Sequence, residues 1–405
     1  MYSNILDQYP IFQTPAQIGA TRDVNGDPAM KITDIEVIEL RVPGWTGATF
    51  DGSYDNCVIL VHTDAGITGI AEVDSVPSVI GAIITAPRSH THAMGLKEVV
   101  VGQDPLETEI LWERMYDWTS YYGRRGVVIH AISGIDIALW DIKGKAAGKP
   151  VADLLGTRKR NRLLAYGTVY PLGETPDEVR HNIDRGLKLG LKAIKIVADP
   201  HWRQDVRKAE NIIRTAREHV GPDIRLMVDA ATAWEKAEDG LPLMPIFRDH
   251  NFLWVEAPLP IDDLAGHARF QGFGVPIGGG DLGLTTRYEY DHAFEVGRID
   301  IAQPDVTMSG GLTELLRIAA VAKKRGKRVV THGYKSNITI AANLAFLSQH
   351  WDDEPAEYST SESPIRWNLT REKFEIGTDG RIAVPEQPGL GVSLDMTTIE
   401  TFRVA

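Results

Sequence analysis

The chain has one cysteine, Cys57, so it can form no internal disulfide and has no CxxC pair for zinc or thiol redox chemistry. A lone thiol suits a reducing compartment, and the expected location is cytoplasmic. No run of eighteen uncharged apolar residues occurs, which excludes a spanning helix. Nor is there an excess of positive charge: 43 Lys+Arg stand against 55 Asp+Glu, a net charge of −12. That balance removes any general attraction to phosphate backbones or anionic lipid, so neither nucleic acid nor membrane is expected as a partner. An acidic protein can still take an anionic substrate if a metal supplies local positive charge. The first thirty residues, through Met30, lack the apolar core of a secretory signal and carry Asp7, Arg22, Asp23 and Asp27. They read as an extension, an arm suited to an interface.

What is present is ordinary globular text, 43% apolar and 24% charged over 405 residues. That length predicts a barrel-sized domain beside a smaller one. From Lys31, the spacing of Ile32, Ile35, Val37, Ile38 and Leu40, then Val58-Ile59-Leu60-Val61, reads as strands joined by an Asp64-Ala65-Gly66 turn. Between about Val79 and Lys149 the period becomes helical, and Val127 to Lys143 is apolar on most sides, a buried helix ended by Gly148-Lys149-Pro150.

After Leu163, short apolar runs alternate with amphipathic stretches of helix length. The candidate strands are Leu164–Tyr170, Ala193–Val197, Arg225–Asp229, Phe252–Glu256, Pro276–Gly279, Asp300–Ala302, Arg328–Thr331 and Pro355–Tyr358. Eight such runs predict a parallel β/α barrel, whose chemistry sits where strands end and βα loops begin. From about Phe374 the text returns to short strands and turns, which should pack back on the first domain. The expected organisation is an extension over 1–30, a capping domain over 31–155, a barrel over 160–372 and a return segment over 373–405.

Three consecutive strand ends carry acids: Asp229, Glu256 and Asp281. They are 27 and 25 residues apart, one β/α unit each, so neighbouring strands aim all three at one point. Three oxygen ligands around an open site suit Mg²⁺. The next two strands end in Asp305 and His332, again 27 residues apart. A carboxylate bonded to one imidazole nitrogen fixes the tautomer and prepares the other nitrogen as a general base. Lys195 on the second strand should face the same site, and the eighth strand offers Glu357, with Glu362 a loop acid behind it.

Other signals point elsewhere. Gly278 to Gly283 fits GxGxxG formally, but it lies mid-chain, and the preceding Pro276 and the metal-like Asp281 account for it better than a dinucleotide site does. The basic run Arg158-Lys159-Arg160-Asn161-Arg162 has no interleaved aromatics and reads as a solvated face or domain junction. The aromatics at 112, 116, 118, 121 and 122 read as core.

Taken together, Ile132-Ser133-Gly134-Ile135-Asp136-Ile137-Ala138-Leu139-Trp140-Asp141 with Lys143-Gly144-Lys145, the Asp229/Glu256/Asp281 series, Gln303-Pro304-Asp305 and His332 resemble the enolase superfamily, mandelate racemase subgroup. The resemblance spans nearly everything from Lys31 to Ala405. It implies an α/β fold, a (β/α)7β TIM-like barrel under an α+β capping domain, and Mg²⁺-assisted removal of the proton α to a carboxylate. It also implies a hydrogen bond from Glu357 to the enediolate and a homo-oligomer. Acid sugar dehydratases are similar in layout. The expected activity is dehydration of an aldonic or aldaric acid to a 2-keto-3-deoxy acid, with His332, Asp305, Lys195 and Glu357 catalytic and Asp229, Glu256 and Asp281 on the metal.

This chain departs from the family pattern three times. Asp281 stands where the family has Glu, Val197 replaces the second lysine of a strand-two KxK, and Ala231 replaces an Asn. Losing that lysine removes the usual base for the opposite face of the substrate, which favours dehydration over racemisation. The alternatives are an epimerase or lactone cycloisomerase using Tyr170 or Lys335 as a second acid/base, or a metal-binding relative without turnover. Substrate recognition is expected from the loops around Trp45–Tyr54 and Asp74–Ser78.

Overall fold

The computed structural model describes residues 30–47, 51–90, 93–231, 233–349 and 353–404. The amino-terminal extension before Met30 and the centre of the Trp45–Tyr54 loop lie outside them.

Strands β1 (Ile32–Arg41), β2 (Asp55–Thr63) and β3 (Thr68–Val73) form an antiparallel sheet in that order. On β1 the buried Ile32, Ile35, Ile38 and Leu40 face the core, while β2 is buried almost throughout. The helix Val127–Ala147 covers β2 and β3, so apolar side chains are needed nearly all round it. Packing is tight enough that a Cβ on Gly69 would lie 2.1 Å from the Ala138 carbonyl oxygen, so only glycine fits there. The helix ends at Gly148, whose left-handed φ of +62° closes its last turn.

The polar residues of this helix act as joints. Ser133 Oγ accepts from Gly310 N at 2.8 Å, Asp136 Oδ2 from Thr313 N at 2.9 Å, and Trp140 Nε1 donates to Thr313 Oγ1 at 2.9 Å. Asp141 accepts from Ile70 N and Leu390 N, each at 2.9 Å, and from Lys145 at 2.6 Å. Donors bonded to buried carboxylates and hydroxyls in this way fix the sheet domain against the barrel.

The barrel consists of β4 (Arg162–Val169), β5 (Ala193–Val197), β6 (Arg225–Asp229), β7 (Phe252–Glu256), β8 (Ile277–Gly279), β9 (Ile301–Ala302), β10 (Arg328–Val329) and β11 (Ala356–Glu357). The strands are parallel and paired in chain order from β4 to β10, and β11 returns to the free side of β4. Side chains span the seam between β10 and β11: Arg328 pairs with Glu354, and Gly333 N donates to Glu357 Oε2 at 2.9 Å.

Several strand boundaries differ from the sequence reading by a residue or two, and two of them for a visible reason. β4 begins two residues early because β12 (Arg381–Ala383) pairs antiparallel with Arg162 to Leu164. β10 stops early because, beyond Val329, pairing thins to a Val330 N to Ala302 O bond of 3.0 Å and an isolated Asp305–His332 bridge. Past β12 the chain runs back to the sheet, where Val404 N donates to Glu39 O at 2.9 Å.

Arg160 donates to the carbonyls of Glu354 and Leu347, both at 2.9 Å, which ties it within the barrel, while Lys159, Asn161 and Arg162 of the basic run are exposed. Of the aromatics read as core, Trp112 is buried, but Tyr121 is 73% exposed because it lies on the outer face of the last turns of the helix Thr108–Gly123.

Candidate functional site

An apolar plug of Leu164, Tyr166, Ala193, Met227, Trp254, Ile301 and Val330 fills the barrel's lower interior. Side chains two residues further along a strand share its face. That parity places Thr168, Lys195, Asp229, Glu256, Gln303 and His332 in a polar layer above the plug. The ladder sets Asp229 directly beside Glu256 and Val197 beside Asp229.

β8 breaks this parity. Gly278 faces inward, since a Cβ there would meet Gln303 Oε1 at 2.1 Å, and strict alternation would then turn Asp281 outward. Gly280 prevents this with a φ of +112°, open essentially only to glycine, and the Tyr290 ring packs where its Cβ would be. Asp281 is thereby re-aimed into the charged layer. The glycine run read as a weak nucleotide motif is the device that does it.

Lys195, 1% exposed, sits at the centre. Its ammonium donates to Glu256 Oε1 and lies 3.2 Å from Asp229 Oδ2 and 3.3 Å from Glu357 Oε1. Burial pulls its pKa down, but the Glu256, Glu357 and Asp229 charges outweigh this and hold it well above the usual lysine value. Lys195 is therefore a fixed positive charge.

Glu256 accepts from Trp254 Nε1 at 3.0 Å and from Gln303 Nε2. Burial, then the neighbouring Asp229 and Asp281 charges, push it up to about 8 against the pull of Lys195. Burial and Asp229 likewise push Asp281 up to about 6, opposed by His332 and Lys195. Asp229 Oδ1 accepts from Ala231 N at 2.8 Å.

His332 Nδ1 meets Asp305 Oδ2 at 2.8 Å, and Asp305 Oδ1 accepts from Thr307 N and Oγ1, each at 2.6 Å. The ring's other nitrogen, Nε2, lies 3.9 Å from Glu357 Oε2. Burial lowers the imidazole pKa, but Glu357 and Asp305 outweigh it and hold it well above the ordinary histidine value. Glu357 thus stands between Lys195 and His332, accepting from Thr168 Oγ1 at 2.6 Å and Gly333 N at 2.9 Å. Burial opposes its ionisation, yet those two cations bring its pKa below the usual value, so in this state it accepts hydrogen bonds.

All seven residues expected at the site, Lys195, Asp229, Glu256, Asp281, Asp305, His332 and Glu357, meet at this end of the barrel. The two candidates for a second acid/base do not join them. Tyr170 is 43% exposed beyond β4, and Lys335 is committed to the sheet domain. Glu362 is exposed and paired with Arg185 at 2.6 Å. Sequence reasoning missed Thr168 and Thr307, and it named Gln303 only within the family motif; Thr168 and Gln303 share the inward parity of the strand-end residues, which is the signal that finds them.

Among the described residues no three His, Cys, Asp or Glu side chains converge as a ready metal cage, and the Lys195 ammonium bridges Asp229 and Glu256 instead. The donor set nevertheless fits a hard divalent cation. It offers three carboxylates without a thiol, and the buried Asp281 Oδ1 has no hydrogen-bond partner.

Comparison with known proteins bears on both parts of the chain. Residues 36–156 match the mandelate racemase / muconate lactonizing enzyme N-terminal domain, and residues 178–398 match the enolase C-terminal domain-like family. The chain is 34% identical to a D-galactarolactone cycloisomerase of Agrobacterium fabrum over 75% of its own length and 82% of that protein's. It is 31% identical to an arabinonate dehydratase of Saccharolobus solfataricus, over 76% and 81%. The crystal structure of the 3,6-anhydro-D-galactonate cycloisomerase from Zobellia galactanivorans superposes with a TM-score of 0.80 at 29% identity, covering 93% of this chain and all of that one. With family models covering both the sheet domain and most of the barrel, the chain belongs to the mandelate racemase group of the enolase superfamily.

Proposed function

We propose that this protein is a hydro-lyase that dehydrates an acid sugar, an aldonic or aldaric acid, to a 2-keto-3-deoxy acid. The observation that carries this reading is the oriented imidazole, His332 on Asp305, in a charged layer whose inward slot beside Lys195 is filled by the apolar Val197. Racemisation needs proton transfer on both faces of the α-carbon, whereas dehydration needs one.

Asp229, Glu256 and Asp281 would hold Mg²⁺, which when bound supplies Lewis-acid charge that acidifies the α-proton. Lys195 adds a permanent positive charge beside them, where negative charge builds on the substrate carboxylate. Because Nδ1 is committed to Asp305, His332 takes the α-proton at Nε2. Asp305, held by Thr307, keeps the tautomer and stabilises the imidazolium. The same Nε2 proton then passes to the β-hydroxyl, which leaves as water as the carbon–oxygen bond breaks. The enol that remains tautomerises to the 2-keto acid. Glu357 holds the acceptor side of this arrangement between the Lys195 and His332 cations.

A lactone cycloisomerase is the second reading, supported by the relative at 34% identity. The same base would act, and the product rather than the site would differ.

The test is a screen of aldonic acids, aldaric acids and their lactones with Mg²⁺, followed by NMR. Formation of a 2-keto-3-deoxy acid from an open-chain acid supports the hydro-lyase. Turnover of lactones alone favours the cycloisomerase, and inertness toward every acid sugar overturns both.

A further inference from the structure

Three residues past His332, Lys335 is 2% exposed, yet it points away from the charged layer. Its ammonium donates to Gly52 O and to Asp55 O at 3.1 Å, and lies 3.2 Å from Asp74 Oδ1. A lysine has three N–H donors, and these oxygens occupy them. All three belong to the sheet domain. The residues on either side of Lys335 are gripped from the same direction: Ser53 Oγ donates to Tyr334 O at 2.7 Å, while Ser336 N and Oγ donate to the buried Glu72 at 3.0 and 2.9 Å.

The turn that Lys335 holds, residues 51–55, also reaches the loop after β11. Ser361 Oγ donates to Asp51 Oδ2 at 2.5 Å, and Ser363 Oγ to Ser53 O at 2.7 Å. It therefore lies over the barrel end where the acids converge. Asp74 links the second half of the dyad, because its N–H donates to Thr307 Oγ1 at 3.1 Å and Thr307 in turn holds Asp305.

We propose that Lys335 is a positioning residue, a buried latch that ties the 51–55 turn and Asp74 to the loop carrying His332, so that this turn and the His332–Asp305 pair are set as one unit. Only the kinetic consequence rests on reading His332 as the base. The latch itself is a property of the substrate-free protein.

Amide hydrogen exchange on the full chain tests it without turnover. In Lys335→Met, amides of residues 52–56 and 333–336 should exchange at least about tenfold faster while the barrel strands keep wild-type protection. Ser53→Ala, which removes one neutral contact and buries no charge, should speed the same two segments by about threefold, and it carries the test if Lys335→Met does not fold. With an acid-sugar substrate, Lys335→Met should raise KM about tenfold and change kcat by less than about threefold, and Lys335→Arg should recover part of the KM. Unchanged exchange in both segments overturns the latch, as does a uniform rise across the whole chain. A collapse of kcat with normal KM and exchange would make Lys335 an acid/base instead. If exchange changes as stated but no acid sugar is turned over, the latch stands and the hydro-lyase reading falls.

Discussion

Val197 stands directly beside Asp229 in the β5–β6 ladder, so an isopropyl group flanks the first strand-end acid where a second lysine would serve the other face of a substrate. Proton traffic should therefore be confined to one face. In deuterated water, substrate recovered after partial turnover should keep its α-configuration, whether or not deuterium has washed in. Rapid inversion at that carbon would promote an epimerase.

The His332–Asp305 contact of 2.8 Å predicts the shape of the pH profile. A base must be unprotonated to act, and Glu357 and Asp305 hold this imidazole protonated above its ordinary range. The rising limb of kcat/KM should lie on the alkaline side of a normal histidine. Asp305→Asn removes one stabilising charge, so the limb should move to lower pH and the plateau should fall. A limb that stays in place would detach the pair from the chemistry.

Divalent cation binding should be visible in stability, since an ion that binds only the folded chain adds roughly 2.7 kcal/mol at a hundredfold excess over Kd. Mg²⁺ should raise the melting temperature of the wild type and chelator should reverse it. Asp229→Asn and Glu256→Gln should abolish the response. A wild-type melt insensitive to Mg²⁺ would remove the three acids as its site.

Asp136 should make stability depend on pH with an unusual sign. Burial pushes it up to about 7 from an ordinary 3.8, so between those values the folded chain holds a proton that the unfolded chain releases. Its contribution is complete below the unfolded value and declines as pH rises toward 7, by up to about 1.4 kcal/mol per unit. Urea melts from pH 5 to 8 should show this component in the wild type and lose it in Asp136→Asn. An unchanged slope in the variant would place the titration elsewhere.

The barrel was legible because short apolar runs recur at about the spacing of one β/α unit, with Asp229 and Glu256 each closing one of them. Ala193–Val197, Arg225–Asp229 and Phe252–Glu256 coincide with β5, β6 and β7. Less legible were features that depend on tertiary approach. The turn of Asp281 depends on the Gly280 backbone, and no periodicity reports a φ. Glu357 draws its central place from Lys195, Thr168 and His332 on three other elements. Lys335 reads from the sequence as a candidate second acid/base beside His332 because its partners, Gly52 and Asp55, lie some 280 residues earlier in the chain.

The carboxy-terminal contacts of the sheet domain have a consequence for biosynthesis. Arg403 forms a bridge with Leu40 and reaches Glu36 at 2.6 Å, joining positions 367 apart in sequence. A ribosome emits β1 and its partner β2 long before Arg403, so the outer edge of β1 stays uncovered until that residue arrives. Contacts that close loops of this length form late and slowly. Full protection of β1 should therefore appear only once Arg403 has emerged, leaving the nascent sheet edge in need of shielding until then.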